Sequence, residues 1–172
     1  MEQNIILIGF MGSGKTTNGR RLARKLNMDF IDTDSLIEEK NKISIEEIFK
    51  RYGEKYFRKL ENETILSLSN CKNKVISTGG GIILNNRNID ILKENGIVIL
   101  LESSVDNICN NLKNSYKKRP LIQKKNWKED VRILMKERKE IYENSADIIV
   151  NVDGKKHNQI VNEICCIIKE RA

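Results

Sequence analysis

No apolar run in this 172-residue chain approaches the roughly 20 residues that a bilayer-spanning helix needs. The first strand-like run begins at Asn4, leaving no room ahead of it for a secretory leader, so a cytoplasmic location is expected. Proline is nearly missing: Pro120 alone interrupts the chain, and no linker, internal repeat or low-complexity tract divides it. One domain over residues 1–172 is therefore expected. The four cysteines, Cys71, Cys109, Cys165 and Cys166, show no metal-ligand spacing, and the adjacent pair lies in an apolar helical stretch. Reduced thiols acting as small hydrophobes are expected, with no metal cluster. The basic segment Lys113, Lys117, Lys118, Arg119, Lys124, Lys125 and Lys128 lacks interleaved aromatics, with Tyr116 and Trp127 only at its margins. That argues against a base-stacking surface, and no nucleic-acid or membrane partner is expected.

What the chain does have is an ordinary globular composition, 39% hydrophobic and 32% charged, with Lys plus Arg outnumbering Asp plus Glu by 31 to 24. A formal charge of +7 suits anionic ligands without choosing among them. The choice comes from Gly9-Phe10-Met11-Gly12-Ser13-Gly14-Lys15-Thr16, which follows the apolar run Asn4-Ile5-Ile6-Leu7-Ile8 and leads into a helical pattern. Strand, glycine loop and helix in that order make a nucleotide triphosphate site. The glycines let successive amide N–H groups turn in around a phosphate, and the helix adds its positive end. Gly12, Ser13, Gly14, Lys15, Thr16 and Thr17 are the candidate ATP contacts. Lys15 is expected to reach the β- and γ-phosphates, and the Thr16 hydroxyl to ligate Mg²⁺.

Short β-rich runs at Asn4–Ile8, Asp29–Asp32, Lys74–Ser77, Ile97–Leu101 and Asp147–Val152 alternate with amphipathic helical patterns. The helical set is Lys15–Leu26, a helix capped by Ser44 and running through Arg51, Tyr56–Ser69, Arg87–Glu94, Val105–Lys113, Trp127–Glu143 and His157–Arg171. The alternation predicts an α/β fold, a five-stranded parallel sheet sandwiched between helices. Two stretches break it, an insertion over residues 33–61 and a polar, lysine-rich one over 112–126. Both are expected above the carboxyl edge of the sheet, one holding a phosphoryl acceptor and the other closing as a lid.

Asp32-Thr33-Asp34 ends the second predicted strand, and residues two apart in extended chain point the same way. Asp32 is the better candidate to orient the Mg²⁺ ligands, because the strand Lys74–Ser77 is followed by Thr78-Gly79-Gly80-Gly81 and not by an acidic residue. Asp34 is left to accept a hydrogen bond from an acceptor hydroxyl. Either aspartate is also suited to cap a following helix, Asp34 before Ser35-Leu36-Ile37 in particular. The three glycines fit a close ligand approach and equally a tight turn. Arg58 with Glu61, and Arg138 with Tyr142, are each at helical spacing that a solvated face would also show.

Taken together, these elements resemble shikimate kinase. The resemblance is carried in order by the phosphate loop, the Asp32 and Asp34 pair, Ile45 to Phe49 then Gly53-Glu54, Phe57-Arg58 with Glu61, Thr78 to Gly81, Arg119-Pro120-Leu121-Ile122, and Arg138 with Tyr142 and Ala146. It implies a P-loop fold like that of nucleoside monophosphate kinases, and transfer of the ATP γ-phosphoryl group to the 3-hydroxyl of shikimate in aromatic amino acid biosynthesis. Asp34, Arg58, Gly79, Gly80, Gly81 and Arg138 are then the shikimate-binding set, and Asp34, Lys15 and Arg119 the catalytic one. Arg119, on the lid, would come down onto the phosphates beside Lys15. Two arginines suit a carboxylate, while an aspartate and backbone amides suit hydroxyls. The implied partners are ATP with Mg²⁺ and shikimate, with the chain a monomer. Where many members carry an arginine before the Arg-Pro-Leu element, Leu112 and Lys113 stand here, so the resemblance implies the phosphate contacts and not the adenine contacts. The competing readings are a related kinase acting on a nucleoside monophosphate or gluconate, and an ATP-dependent nucleic-acid-binding module.

Overall fold

The parallel sheet predicted from the alternation is present in a computed structural model of the chain, which describes residues 3–114 and 125–171. Its strands are β1 (Asn4–Ile8), β2 (Asp29–Asp32), β3 (Lys74–Ser77), β4 (Gly96–Glu102) and β5 (Ile148–Asn151). All pairings are parallel, in the order β2-β3-β1-β4-β5. The central strand β1 is buried at every position, as expected for a strand covered on both faces.

Period-two alternation divides its side chains between two cores. Ile6 and Ile8 join Ile76, Val98 and Leu100 on one face. This face is covered by α3 (Ile45–Ser67), α4 (Asn86–Asn95), α5 (Val105–Lys113) and α6 (Trp127–Ser145), through residues such as Ile65, Leu92, Leu112 and Val131. Ile5 and Leu7 turn the other way, with Ile99 and Val150, against α1 (Lys15–Leu26) and α7 (His157–Arg171). On α7 the predicted apolar stripe is buried at Ile160, Val161, Ile164, Cys165 and Ile168, with Ile167 half-buried at its margin.

Between β2 and β3, α2 (Thr33–Asn41) and the start of α3 form a small core of their own from Ile37, Ile48 and Phe57. The Ser44 cap is as predicted, its hydroxyl accepting from the Glu47 N–H at 3.2 Å. The two helices predicted through Arg51 and from Tyr56 run together as α3, broken at Gly53, whose φ of 77° is the left-handed geometry that glycine adopts without strain. Among the described residues no helix is long and apolar enough to cross a membrane.

One local reading is corrected. Strand β2 stops at Asp32 and Thr33 already begins α2, so Asp32 and Asp34 are not alternate residues of one extended run. Asp32, not Asp34, is the cap, its Oδ1 accepting from the Ser35 N–H at 3.2 Å. The cause is the chain reversal itself: the residue at the strand end has extended φ and ψ, which is what an N-cap needs, while Asp34 already lies in the first helical turn.

Candidate active site

The phosphate loop leaves β1 and enters α1 through Gly12 and Gly14, both at positive φ (79° and 87°). Gly12 lies under Leu112 of α5, so a Cβ there would come within 3.2 Å of the leucine side chain. Leu112 is thus a core residue packed on the loop. Its neighbour Asn111 donates through Nδ2 to the Gly12 carbonyl at 2.8 Å, a contact that nothing in the spacing announced. Ser13 is buried, Lys15 is only 8% exposed, and Thr17 faces solvent in the first turn of α1. The Lys15 ammonium is folded into the loop, donating to the carbonyls of Gly9 at 2.7 Å and Phe10 at 2.9 Å.

Thr16 Oγ1 donates to Asp32 Oδ2 at 2.7 Å, so α1 and β2 bring a hydroxyl and a carboxylate together beside the loop. Both are hard oxygen donors of the kind Mg²⁺ takes, sharing its coordination sphere with phosphates and water. Among the described residues no cluster of three or more His, Cys, Asp or Glu offers an all-protein cage.

Across the carboxyl end of β3 lies the second half of the site. A Cβ on Gly79 would stand 2.7 Å from Asp34 Oδ1 and 3.0 Å from Glu61 Oε1, and one on Gly81 would stand 2.2 Å from Arg58 Nη1. The glycines are needed because α2 and α3 press charged groups onto the turn. Gly79 N–H donates to Thr33 Oγ1 at 3.2 Å, tying the turn to the head of α2. On the opposite side a Cβ on Gly80 would come within 3.2 Å of the Met11 nitrogen, so the turn also abuts the phosphate loop.

Arg58 donates to Glu61 Oε2 at 2.8 Å and to Glu54 Oε1 at 3.1 Å. Glu61 is only 1% exposed, which rules out the solvated surface pair that the spacing alone allowed. Burial pushes its carboxyl above the usual carboxylate range, and the Asp34 charge adds to this, while Arg58 and Arg138 pull against it. Arg138, from α6, also hydrogen-bonds Tyr142 one turn along, and Tyr142 in turn senses Glu61 and Arg58. Arg58, bonded to Glu61, and Arg138, bonded to Tyr142 and acting on Glu61 through its charge, are 80 positions apart in sequence and stand in one electrostatic neighbourhood with Asp34. Arg119, and with it the Arg-Pro-Leu element, lies outside the described residues.

A cavity of about 490 Å³ lies under α6 at the carboxyl ends of β4 and β5, lined by Leu100, Val105, Met135 and Asp153. Of the phosphate loop only Phe10 reaches it. Several of its charged groups are already engaged, Asp153 by Ser103 and Ser104 and Lys139 by Glu143. The chemistry is therefore assigned by the convergent side chains and not by cavity size.

Comparison with known proteins agrees with this geometry. A family model described as shikimate kinase matches residues 11–169. A shikimate kinase of Sulfurihydrogenibium sp. is 46% identical over 169 residues, covering 98% of this chain and 99% of its own. One from Caldanaerobacter subterraneus is 42% identical, with 94% of each chain covered. Among solved structures, a shikimate kinase from Acinetobacter baumannii in complex with shikimate superposes with a TM-score of 0.92 at 35% identity, over 99% of this chain and 95% of that one. The shikimate kinase of Aquifex aeolicus gives 0.82 at 36% identity, over 98% and 97%.

Proposed function

Because the chain belongs to the shikimate kinase family, with its ATP-dependent transfer of a phosphoryl group to shikimate, we propose how its residues divide that reaction. The observation that carries the reading is that buried Glu61, next to Asp34 and Gly79–Gly81, is bonded by Arg58 and also feels the charge of Arg138. Two guanidinium groups in one neighbourhood suit the single carboxylate of shikimate, and an aspartate beside a glycine turn suits its hydroxyls.

Gly12, Ser13, Gly14, Thr16 and Thr17 cradle the ATP phosphates from the head of α1. Lys15 leaves the Gly9 and Phe10 carbonyls and turns onto the phosphates, its ammonium offsetting charge on the transferring group. Thr16 and Asp32 hold Mg²⁺, directly or through water; when bound, the ion neutralises phosphate charge and fixes the phosphate geometry. Asp34 hydrogen-bonds the 3-hydroxyl, orients it in line with the γ-phosphorus and takes its proton as the new bond forms. A loose transition state needs little early proton removal, so positioning supplies most of the rate. Residues 33–61 act as the acceptor-binding insertion and 112–126 as a lid that excludes water, bringing Arg119 onto the phosphates. The enzyme works as a cytoplasmic monomer on two small molecules within one domain.

A coupled ADP-release assay tests the reading. ADP release is expected with shikimate and not with gluconate or a nucleoside monophosphate, and a chelator in excess over Mg²⁺ abolishes it. Turnover of gluconate or a nucleotide in place of shikimate overturns the acceptor assignment. Nucleic-acid retention that collapses with salt would support the binding-module alternative.

A further inference from the structure

Tyr142 has no role in the scheme above, yet it is the most enclosed polar side chain that α6 sends toward the site. Its ring is 5% exposed and packs in the core shared by β1, β3 and β4. Its hydroxyl donates to the carbonyl of Gly80, 62 residues earlier in the chain. The same oxygen takes a hydrogen bond from Arg138, one helical turn before it. The phenol thus joins two parts of the acceptor pocket that share no element of the fold, the glycine turn after β3 and the arginine of α6.

We infer that Tyr142 is a positioning residue for the acceptor, its hydroxyl fixing the Gly80–Gly81 peptide and the Arg138 guanidinium in one arrangement. The inference rests on the reading of this pocket as the shikimate site. In a planar trans peptide the C=O and the following N–H point in opposite directions. Holding the Gly80 carbonyl on Tyr142 therefore turns the Gly81 N–H away from α6. That N–H has no hydrogen-bond acceptor among the described residues, and Gly81 is the residue whose missing Cβ makes room for Arg58. It is left as a donor for an acceptor oxygen, beside one guanidinium and aligned through Tyr142 with the other. Burial pushes the phenol well above its ordinary range, so it keeps its proton, and its donor function, throughout the neutral range.

The arrangement separates acceptor from nucleotide. Among the described hydrogen bonds, those of the Tyr142 hydroxyl go to the glycine turn and Arg138, whereas the phosphate loop is held by Asn111, Asp32 and its own carbonyls. Tyr142→Phe keeps the ring and removes the one oxygen. We expect the KM for shikimate to rise about tenfold while the KM for ATP stays within about twofold and kcat falls by no more than about threefold. A tyrosine that only filled the core would change both KM values together or neither. An unaltered shikimate KM, or equal changes in both, overturns the inference. Wild-type protein is assayed first: if it does not turn over shikimate, the reading of the pocket falls and the inference with it. Normal wild-type turnover with an unaffected variant overturns the inference alone. If the variant is not recovered folded, amide exchange in the wild type decides. Shikimate is expected to slow exchange at the Gly81 N–H by tenfold or more, on the order expected for a newly formed hydrogen bond. No change there overturns the inference.

Discussion

Asp34→Asn abolishes most phosphorylation of shikimate, lowering kcat by roughly 10²- to 10⁴-fold, while ATP affinity stays within about twofold of wild type. The substitution keeps the shape of the side chain and removes the charge and the proton-accepting oxygen. Nucleotide binding is spared because Asp32, not Asp34, is the carboxylate bonded to Thr16 of the phosphate loop. Folding stability is expected to change little. Asp34 lies against the turn next to Glu61 and raises its proton affinity, so removing that like charge offsets hydrogen bonding lost elsewhere. Activity that falls while the thermal midpoint holds is the behaviour of a residue serving the reaction at the expense of stability. Steady-state kinetics with thermal denaturation checks both halves, and undiminished turnover removes Asp34 from the mechanism.

Arg58→Met has the second large effect, on binding and stability at once. Losing a charged partner for the acceptor carboxylate raises the KM for shikimate roughly 10- to 100-fold. It also strands Glu61, which is buried and bonded to Arg58 at 2.8 Å. The destabilisation is about 3 kcal/mol, at the lower end for a broken buried pair, because 27% of the Arg58 side chain remains in solvent. The sign with pH follows from Glu61. Its carboxyl already sits above the ordinary value of 4.5, and removing Arg58 raises it further. A raised carboxyl gives its full contribution below about 4.5 and loses it as pH rises through the folded value. The deficit of the variant is therefore small near pH 4.5 and grows toward neutrality. Adding Glu61→Gln recovers most of the stability at pH 7 and none of the shikimate binding. Denaturant titrations across pH with matched kinetics check this, and a pH-independent deficit contradicts it.

The strand order of events along the chain was legible because a buried parallel sheet writes itself as short apolar runs separated by amphipathic helices. Three of the five strands match their predicted limits, and β4 and β5 differ only at their ends. The phosphate loop was legible because its spacing is set by local backbone geometry. What sequence spacing could not carry were facts decided at junctions and across the fold. The strand-to-helix switch at Asp32 and Thr33 made Asp32 the cap, where spacing left that role open to either aspartate. The helix break at Gly53, by contrast, falls between the two helices predicted there. Arg58 and Glu61 at helical spacing look the same whether exposed or buried, and only the packing of α3 on the glycine turn distinguishes the two. Asn111 on Gly12 and Tyr142 on Gly80 join residues 99 and 62 positions apart, and no local pattern announces such pairs.

The central claim is that Arg58 and Arg138 converge on one acceptor next to a phosphate cradle. A crystal structure of the protein with ADP and shikimate tests it most directly. The shikimate carboxylate is expected between the two guanidinium groups, with a ring hydroxyl within hydrogen-bond reach of Asp34 and facing the β-phosphate. Shikimate bound elsewhere, for instance in the cavity under α6, with Arg58 and Arg138 turned away from it, would contradict the account.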